Sequence, residues 1–430
     1  MRMTVLALLL AVPVNGIAAP LELEAVLKQV TSANAELLER RAMSDAAAER
    51  VAPSGAWTSP MIEVGVVNVP TSGGFNKDPM TMKMVGITQR VPLFGANGLS
   101  HHAAEEAVNA ERASLGAERL EVLARAYERY AEVRWISELA HETEHHVGTM
   151  DRMVAAARTR YESGRGRLDE ALMAEAERAH LMAEQAGYES EWTRACAELD
   201  VLRGVAPAGR YAVATVEEPV IGPDPEPFRL ATLDHPALEE PQARRRSAEY
   251  MARAERRRIW PELELNASYG FRETLENPAH GLVTEQDDMF SATVGFMLPL
   301  FAGGNEGAKA REQDAMARAA VAGRQRTEQM LAEEVLMAHA EARAAGRMVG
   351  LIADTVVVAR RRALEAAWNA YGAGSLDLRE ILDASHRLYE ANVALTRARM
   401  DRARAVARLI ARTGRGDLLG IALPEERSEP

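Results

Sequence analysis

Cysteine is almost missing from this chain, whose 430 residues include only Cys196. A single cysteine cannot form an intrachain disulfide, so we expect packing or assembly alone to stabilise the fold. There is also no cysteine close to Ala18 and Ala19, where an export signal is expected to end. That absence argues against a lipid anchor at the start of the mature protein.

Long apolar runs are missing as well. Beyond the N-terminus, no stretch reaches the roughly 18 uninterrupted apolar residues of a transmembrane helix. Residues 1–19 combine Arg2, an apolar run over 5–12 and small residues at the end, which is the layout of a secretory signal peptide. If the mature chain lies in a membrane, we expect a β-barrel, because only helices and closed barrels pair every backbone polar group in lipid.

The chain also lacks an excess of positive charge. It carries 51 Lys and Arg against 63 Asp and Glu, a formal net charge of −12. Arginines are nevertheless numerous and are scattered along the predicted helical faces. This charge balance argues against a nucleic-acid partner.

Helix-breaking residues are rare between about residue 99 and Tyr161, where Ala, Glu, Arg and Leu dominate. A helix of that extent would measure on the order of 90 Å at 1.5 Å per residue. No compact globular domain needs such a helix, so the pattern predicts a coiled-coil-like or tubular assembly.

One stretch of the sequence occurs twice. Tyr161 to Ala174 and Tyr371 to Ala384 share Tyr, Gly, Leu, Glu, Leu and Ala at equivalent positions, with a constant offset of 210 residues (371 minus 161). The chain is therefore predicted to consist of two related halves.

Each copy of the repeat predicts a helical hairpin. Gly164 and Gly374 follow the end of an apolar-periodic helix and can adopt the left-handed conformation that stops it. Leucines spaced four residues apart then restart a helical stripe. Two hairpin tips at one end of the molecule are the expected result.

The other predicted elements follow the same order in both halves. The first half is predicted to contain a helix over 21–52, strands over 61–69 and 80–91, a long helix to 161 and a helix over 168–203. The second half is predicted to contain a helix over 236–258, strands over 263–271 and 290–298, and helices over 306–371 and 377–413. Apolar residues alternate along the last two strands, so one face would meet lipid and the other water.

These elements predict five segments. They are a signal peptide (1–19), a first structural repeat (20–218), a linker rich in proline and glycine (219–227), a second repeat (228–413) and a C-terminal tail (414–430) that we expect to be disordered.

Several short motifs add a family resemblance to this order of elements. They are Asn34-Ala35-Glu36-Leu37, Asp234-His235-Pro236-Ala237-Leu238, Trp260-Pro261-Glu262-Leu263, Pro299-Leu300-Phe301, and the two Tyr-x-x-Gly tips with Ile381-Leu382-Asp383-Ala384 after the second. In this order they resemble the TolC family of outer-membrane efflux proteins. Within that family, the chain is most similar to the outer-membrane components of resistance-nodulation-division pumps, including those of the heavy-metal branch.

The resemblance implies a mostly α fold with a small β part and an internal two-fold repeat. Long antiparallel helical hairpins would form a periplasmic α-barrel. Four strands cannot close a membrane barrel, and open sheet edges are not tolerated in lipid, so the chain must oligomerise. The need to close the barrel does not decide whether two, three or four chains assemble. The resemblance implies a homotrimer with a 12-stranded outer-membrane β-barrel.

The function implied by the resemblance is that of a passive exit duct in the outer membrane and periplasm. An inner-membrane pump and a periplasmic adaptor (membrane fusion) protein would deliver the cargo, either metal cations or small toxic compounds. No enzymatic activity, cofactor or resident metal is expected. The sequence determines neither the cargo nor the cognate pump and adaptor.

The resemblance also assigns site residues. The hairpin tips would dock the adaptor through Tyr161, Gly164, Leu168, Tyr371, Gly374 and Leu378. Glu380 and Asp383 match the acidic aperture ring, where copies from several chains would favour cations. The first of these positions is usually Asp in the family, so a merely solvated acidic face stays open as the alternative.

The alternative function is that of a periplasmic zinc hydrolase. His141, Glu142 and His145 fit the H-E-x-x-H pattern, which places two imidazoles and a potential general base on one helix. Against it, the motif lies within an unbroken predicted helix with no cleft-forming element beside it. A lesser signal for metal handling comes from His101-His102 and from Met80, Met82 and Met84.

Overall fold

A computed structural model describes residues 20–71, 73–217, 219–277, 282–373 and 375–424 of the chain. The predicted signal peptide and Gly374 lie outside these residues. The helices are α1 Leu23–Ala33, α2 Ala35–Ala48, α3 Val51–Gly55, α4 Ala96–Glu162, α5 Leu168–Leu202, α6 Glu226–Ala231, α7 Pro236–Arg257, α8 Glu306–Leu351, α9 Val358–Gly372 and α10 Leu378–Thr413. The strands are β1 Met61–Val67, β2 Met82–Val91, β3 Glu262–Phe271, β4 Leu275–Asn277, β5 Leu282–Thr284 and β6 Met289–Met297.

The described chain divides into two compact units. The first comprises the residues up to Leu38, Ala117–His235 and the residues from Met330 onward. The second comprises Glu39–Gly116 and Pro236–Gln329. The first unit is mainly helical, and the second contains all six strands of the described residues.

The four predicted strands form one antiparallel sheet in the second unit, in the order β1-β2-β3-β6. The register places Val64 opposite Val85, Val85 opposite Tyr269, and Tyr269 opposite Phe290. This row of apolar side chains is solvent-exposed in the single chain, with Val64 79% exposed. The register therefore confirms that the apolar residues predicted to alternate along the strands share one face of the sheet. A small hairpin, β4-β5, was not predicted.

None of the helices in the described part of the chain is both long and apolar enough to cross a membrane.

The predicted first helix is interrupted at Asn34, which separates α1 from α2. Asn34 has extended backbone (φ −65°, ψ 128°), and its side chain is 3% exposed. Its Oδ1 accepts hydrogen bonds from the N–H groups of Glu36 (3.0 Å) and Leu37 (3.2 Å), so it caps α2. Its Nδ2 donates to the carbonyl of Leu202 at 3.0 Å. The side chain of Asn34 thus forms hydrogen bonds with backbone groups at the start of α2 and at the end of α5, two segments that are distant in sequence.

The predicted helix over 306–371 is not one continuous α-helix either. Residues Ile352–Val357 form a π-helical turn between α8 and α9. Such turns are rare and add one residue to the local helical repeat.

The prediction of a disordered tail is wrong for residues 414–424. Gly414 ends α10 in the left-handed conformation (φ 64°), and Gly416–Leu419 form a 3₁₀ turn. Leu419 and Ile421 are each only 4% exposed. Burial of these two apolar side chains explains why the segment is ordered.

Candidate functional site

The first hairpin tip joins α4 to α5 through a turn that a left-handed glycine closes. Gly164 has a φ of 71°. Its N–H donates to the carbonyl of Tyr161 (2.9 Å), and the N–H of Arg165 donates to the carbonyl of Arg160 (2.8 Å). These bonds satisfy carbonyls that the end of α4 would otherwise leave unpaired. The conformation predicted for Gly164 is confirmed.

The second tip repeats this hydrogen bonding at the same offset. The N–H of Ser375 donates to the carbonyl of Ala370 at 3.0 Å, and positions 375 and 370 lie 210 residues after 165 and 160. The N–H of Ala373 donates to the carbonyl of Asn369 at 3.1 Å. Gly374, the counterpart of Gly164, lies outside the described residues, so its predicted conformation stays a prediction.

One apolar cluster in the helical unit holds both tips together. It contains Met150, Met153, Val154 and Ala157 of α4, Ala171, Ala174 and Leu181 of α5, and Leu378, Ile381, Leu382 and Tyr389 of α10. The guanidinium of Arg160 also lies over the ring of Tyr371, 4.8 Å from its centroid. This contact joins the last turn of α4 to the last turn of α9, at the two tips. These contacts place the two tips next to each other, and their predicted position at one end of the molecule stays a prediction.

The predicted docking residues differ in exposure. Tyr161 is 46% exposed and Leu168 is 50% exposed, so both are accessible in the single chain. Tyr371 is half-buried under Arg160. Leu378, the repeat counterpart of Leu168, is 1% exposed and belongs to the apolar cluster. The structure therefore gives Leu378 a packing contact, and the docking role of all these residues stays a prediction.

The acidic pair lies on the exposed side of the first turns of α10. Glu380 is in the first turn, where the helix dipole favours a negative charge. Asp383 forms an ion pair with Arg387, Oδ2 to Nε at 2.9 Å. Arg387 therefore partly neutralises Asp383 within the same chain.

Two histidines of the helical unit, His386 on α10 and His146 on α4, make contacts that the sequence did not indicate. Nδ1 of His386 lies 2.8 Å from the carboxylate of Glu177, which links α10 to α5. Its Nε2 lies 3.4 Å from Glu390. The ring of His146 stacks on that of Tyr389 with centroids 5.3 Å apart, and its Nε2 lies 3.3 Å from Ser385 Oγ. Glu177 and His386 are 209 residues apart, so local sequence carries no signal for this pairing.

The two histidines respond to pH in opposite directions. Burial lowers the pKa of His386, but its hydrogen bond and charge contact with Glu177, supported by Glu390, outweigh burial and leave the pKa raised. Burial lowers the pKa of His146. We therefore expect His386 to stabilise the fold fully below pH 6.5, its ordinary value, and to lose this contribution as pH rises through the folded pKa. His146 should instead destabilise the fold as pH falls below 6.5.

The first prediction concerns His386→Gln. This change should remove the loss of stability on the alkaline side of pH 6.5. The loss on the acid side should decrease only slightly, because burial is the main cause that lowers the pKa of His146 and the charge of His386 adds little to it. His386 is partly exposed, so the effect should stay below about 1 kcal/mol. Thermal unfolding followed by circular dichroism from pH 5 to pH 9 measures it. A variant with the same alkaline slope as the wild type would contradict the assignment to His386.

The H-E-x-x-H motif does not assemble a metal site. His141 Nδ1 lies 2.6 Å from the carbonyl of Ser137, and its ring contacts Trp192. The carboxylate of Glu142 accepts a hydrogen bond from Asn392. Thr143, at the centre of the motif, is fully buried. Within the described residues, the only group of three or more clustered potential metal ligands consists of His101, His102 and Glu105.

Comparisons with known proteins agree on one family. The family model described as outer membrane efflux protein matches residues 26–205 and 229–415. The chain is 25% identical over 403 residues to the outer membrane efflux protein BepC of Brucella suis biovar 1, covering 92% of this chain and 86% of BepC.

Solved structures show the same fold. The CmeC outer membrane channel of Campylobacter jejuni matches with a TM-score of 0.75 and 15% identity, covering 92% of this chain and 86% of CmeC. The open state of the MtrE outer membrane channel of Neisseria gonorrhoeae matches with a TM-score of 0.73 and 20% identity, covering 94% and 93%.

Proposed function

Because this chain belongs to the outer membrane efflux protein family, the TolC family that its motifs resemble, we propose that it is the exit duct of a tripartite efflux system. It lies in the outer membrane and extends into the periplasm. The observation that carries the proposal is that the family match extends over both halves of the repeat, as residues 26–205 and 229–415, on either side of the connector. Cargo would enter from a periplasmic adaptor and an inner-membrane pump and leave by passive passage.

The sheet supports assembly into a homotrimer. In the described residues β1 pairs only with β2, and β6 pairs only with β3, so both outer strands of the four-stranded sheet have an open edge. Open edges leave backbone polar groups unpaired, at a cost of several kcal/mol each in lipid. Pairing β6 of one chain with β1 of the next removes both edges. Three chains would give the 12 strands expected of the family.

The second prediction is that the detergent-solubilised protein is a trimer. Native mass spectrometry should find a mass three times that of the mature chain. A cysteine pair placed on β1 and β6, for example Val64→Cys with Val294→Cys in a Cys196→Ala background, should cross-link neighbouring chains. A folded monomer with protease-resistant strands would rule out edge-to-edge assembly.

The hairpin tips are the proposed docking site for the adaptor. Tyr161 and Leu168 expose apolar surface beside the turn at Gly164. Exposed apolar residues grouped at one end suit contact with a partner protein. Docking would place the adaptor against the end of the helical unit, where Glu380 and Asp383 also lie.

The acidic pair is the proposed aperture. In a trimer, Glu380 and Asp383 would occur in three copies around the narrow end of the duct, and such a ring of carboxylates would favour cations. Arg387 neutralises part of the charge of Asp383. Glu380 would therefore contribute more than Asp383 to the negative electrostatic potential at the aperture.

The third prediction concerns the double variant Glu380→Gln with Asp383→Asn. It keeps side-chain size and hydrogen bonding but removes charge, so cation selectivity and block by multivalent cations should fall in planar-bilayer conductance. The matched control is Glu175→Gln with Asp151→Asn, two acids of the helical unit that pair with Arg158 and Arg178. Unchanged selectivity in the first variant would return Glu380 and Asp383 to an ordinary solvated surface.

The function itself is tested by deleting the gene and measuring retention of cargo. Cells lacking the protein should retain a lipophilic dye, or become sensitive to divalent metal ions, depending on the cargo class. The wild-type gene should restore export in the same assay. Normal export of both cargo classes in the deletion strain, with no other channel of the family present, would contradict the proposal.

A further inference from the structure

We propose that His101, His102 and Glu105 form a binding site for a divalent transition-metal ion such as Zn²⁺. The three residues lie near the start of α4, within the unit that contains the strands. The site is separate from the hairpin tips and from the acidic pair, and it does not depend on the proposed export function.

The geometry of one helix face brings the three ligands together. Glu105 lies four residues after His101 and three after His102, and both spacings place side chains side by side on a helix. Each carboxylate oxygen of Glu105 faces a different imidazole. Oε1 lies 3.6 Å from Nδ1 of His101, and Oε2 lies 2.8 Å from Nδ1 of His102. One ligand atom from each residue lies within 4.8 Å of the other two, close to the separations that a shared ion requires.

Contacts from other segments hold the histidines in place. The ring of His101 lies over Gly55, where an added Cβ would be 3.0 Å from His101 Cβ and 3.1 Å from its Cδ2. The ring of His102 lies 5.5 Å from that of Tyr250. The two imidazole rings are nearly perpendicular, with an angle of 89°. The site is thus supported by α3 and α7 as well as by its own helix.

The ligand set selects a class of ion. Two imidazoles and one carboxylate suit Zn²⁺, Cu²⁺ and Ni²⁺, whereas Mg²⁺ and Ca²⁺ prefer oxygen ligands alone. The side chains of His101, His102 and Glu105 are 39%, 57% and 47% exposed, so water can complete the coordination shell.

The H-E-x-x-H motif farther along α4 provides a matched control. It also offers two imidazoles and a carboxylate on one helix, yet Glu142 is bonded to Asn392, and His141 Nδ1 faces the carbonyl of Ser137. Three ligands from His141, Glu142 and His145 do not cluster as those of the proposed site do. The two motifs therefore contain the same types of ligand residue but differ in whether the ligand atoms lie close together.

The experiment is calorimetric titration of the solubilised, assembled protein, freed of any affinity tag, with Zn²⁺ alone. Wild-type protein should bind one Zn²⁺ per chain, and Mg²⁺ at the same concentrations should give no saturable signal. His101→Ala with His102→Ala should weaken Zn²⁺ binding by at least about tenfold, the scale on which metal sites respond even to changes in supporting residues. His141→Ala with His145→Ala should bind Zn²⁺ as the wild type does.

A third variant tests the arrangement rather than the ligands. Gly55→Ala places a methyl group against His101 and should weaken Zn²⁺ binding several-fold without removing a ligand. Circular dichroism and the oligomeric mass should match those of the wild type in each variant. The proposal is overturned if wild-type protein shows no stoichiometric Zn²⁺ binding. It is equally overturned if the variant at His141 and His145 loses Zn²⁺ while the variant at His101 and His102 retains it.

Discussion

Replacing Gly164 by valine is expected to reduce export to the level of a gene deletion while the protein still reaches the outer membrane. Gly164 has a φ of 71°, and a β-branched residue in this left-handed region is strained by about 2 kcal/mol. The added Cβ would meet nothing within 4 Å, so the strain comes from the backbone alone. The turn should open, and the tip should lose the shape proposed for adaptor docking.

The matched control for this change is Gly148→Val. Gly148 lies in the same helical unit and has ordinary helical backbone, and a Cβ added there would also meet nothing within 4 Å. Valine at this position should leave export intact. Export is measured as dye or metal-ion efflux from cells that carry equal amounts of each variant in the outer membrane. If Gly164→Val exported normally, the tip would not be the docking site.

Replacing Gly204 by alanine is expected to destabilise the helical unit strongly. Gly204 follows the end of α5 with a φ of 68°, and an alanine Cβ there would overlap the carbonyl oxygen of Ala33 and lie 2.8 Å from its carbonyl carbon. These are backbone atoms at the end of α1 and cannot rotate away. Left-handed strain and overpacking together should cost about 3 kcal/mol or more.

Gly209→Ala separates the two causes. Gly209 also has a positive φ, of 91°, but nothing lies within 4 Å of its Cβ position. It should therefore show only the smaller backbone cost, about 1–2 kcal/mol. Thermal midpoints from circular dichroism, recorded at one scan rate, should fall in the order wild type, Gly209→Ala, Gly204→Ala. Equal midpoints for the two variants would show that the contact with Ala33 is unimportant.

The secondary structure was largely predictable because its causes are local. Apolar periodicity and missing breakers located the long helices, with α4 and α5 beginning and ending within about three residues of their predicted bounds. Alternating side chains located the four strands of the sheet. Gly164 marked its turn because few other residues adopt a positive φ.

Contacts between distant segments were not predictable in this way. The break at Asn34 depends partly on Leu202, which is 168 residues away, and the pairing of His386 depends on Glu177. The order of residues 414–424 depends on buried Leu419 and Ile421, whose environment only the folded helices provide. The H-E-x-x-H motif carried the stronger sequence signal for metal, yet the ligands cluster at His101, His102 and Glu105.

The repeat shows most clearly which features follow from the local sequence and which follow from tertiary packing. By itself the sequence determined that two hairpins share one turn, because Tyr161 to Ala174 and Tyr371 to Ala384 carry the same local pattern. Only the tertiary structure decided that Leu168 is 50% exposed while its counterpart Leu378 is 1% exposed. The physical reason is that turn formation depends on a residue and its near neighbours, whereas burial depends on which helices pack around it. Of the two equivalent leucines, only Leu378 belongs to the shared apolar cluster.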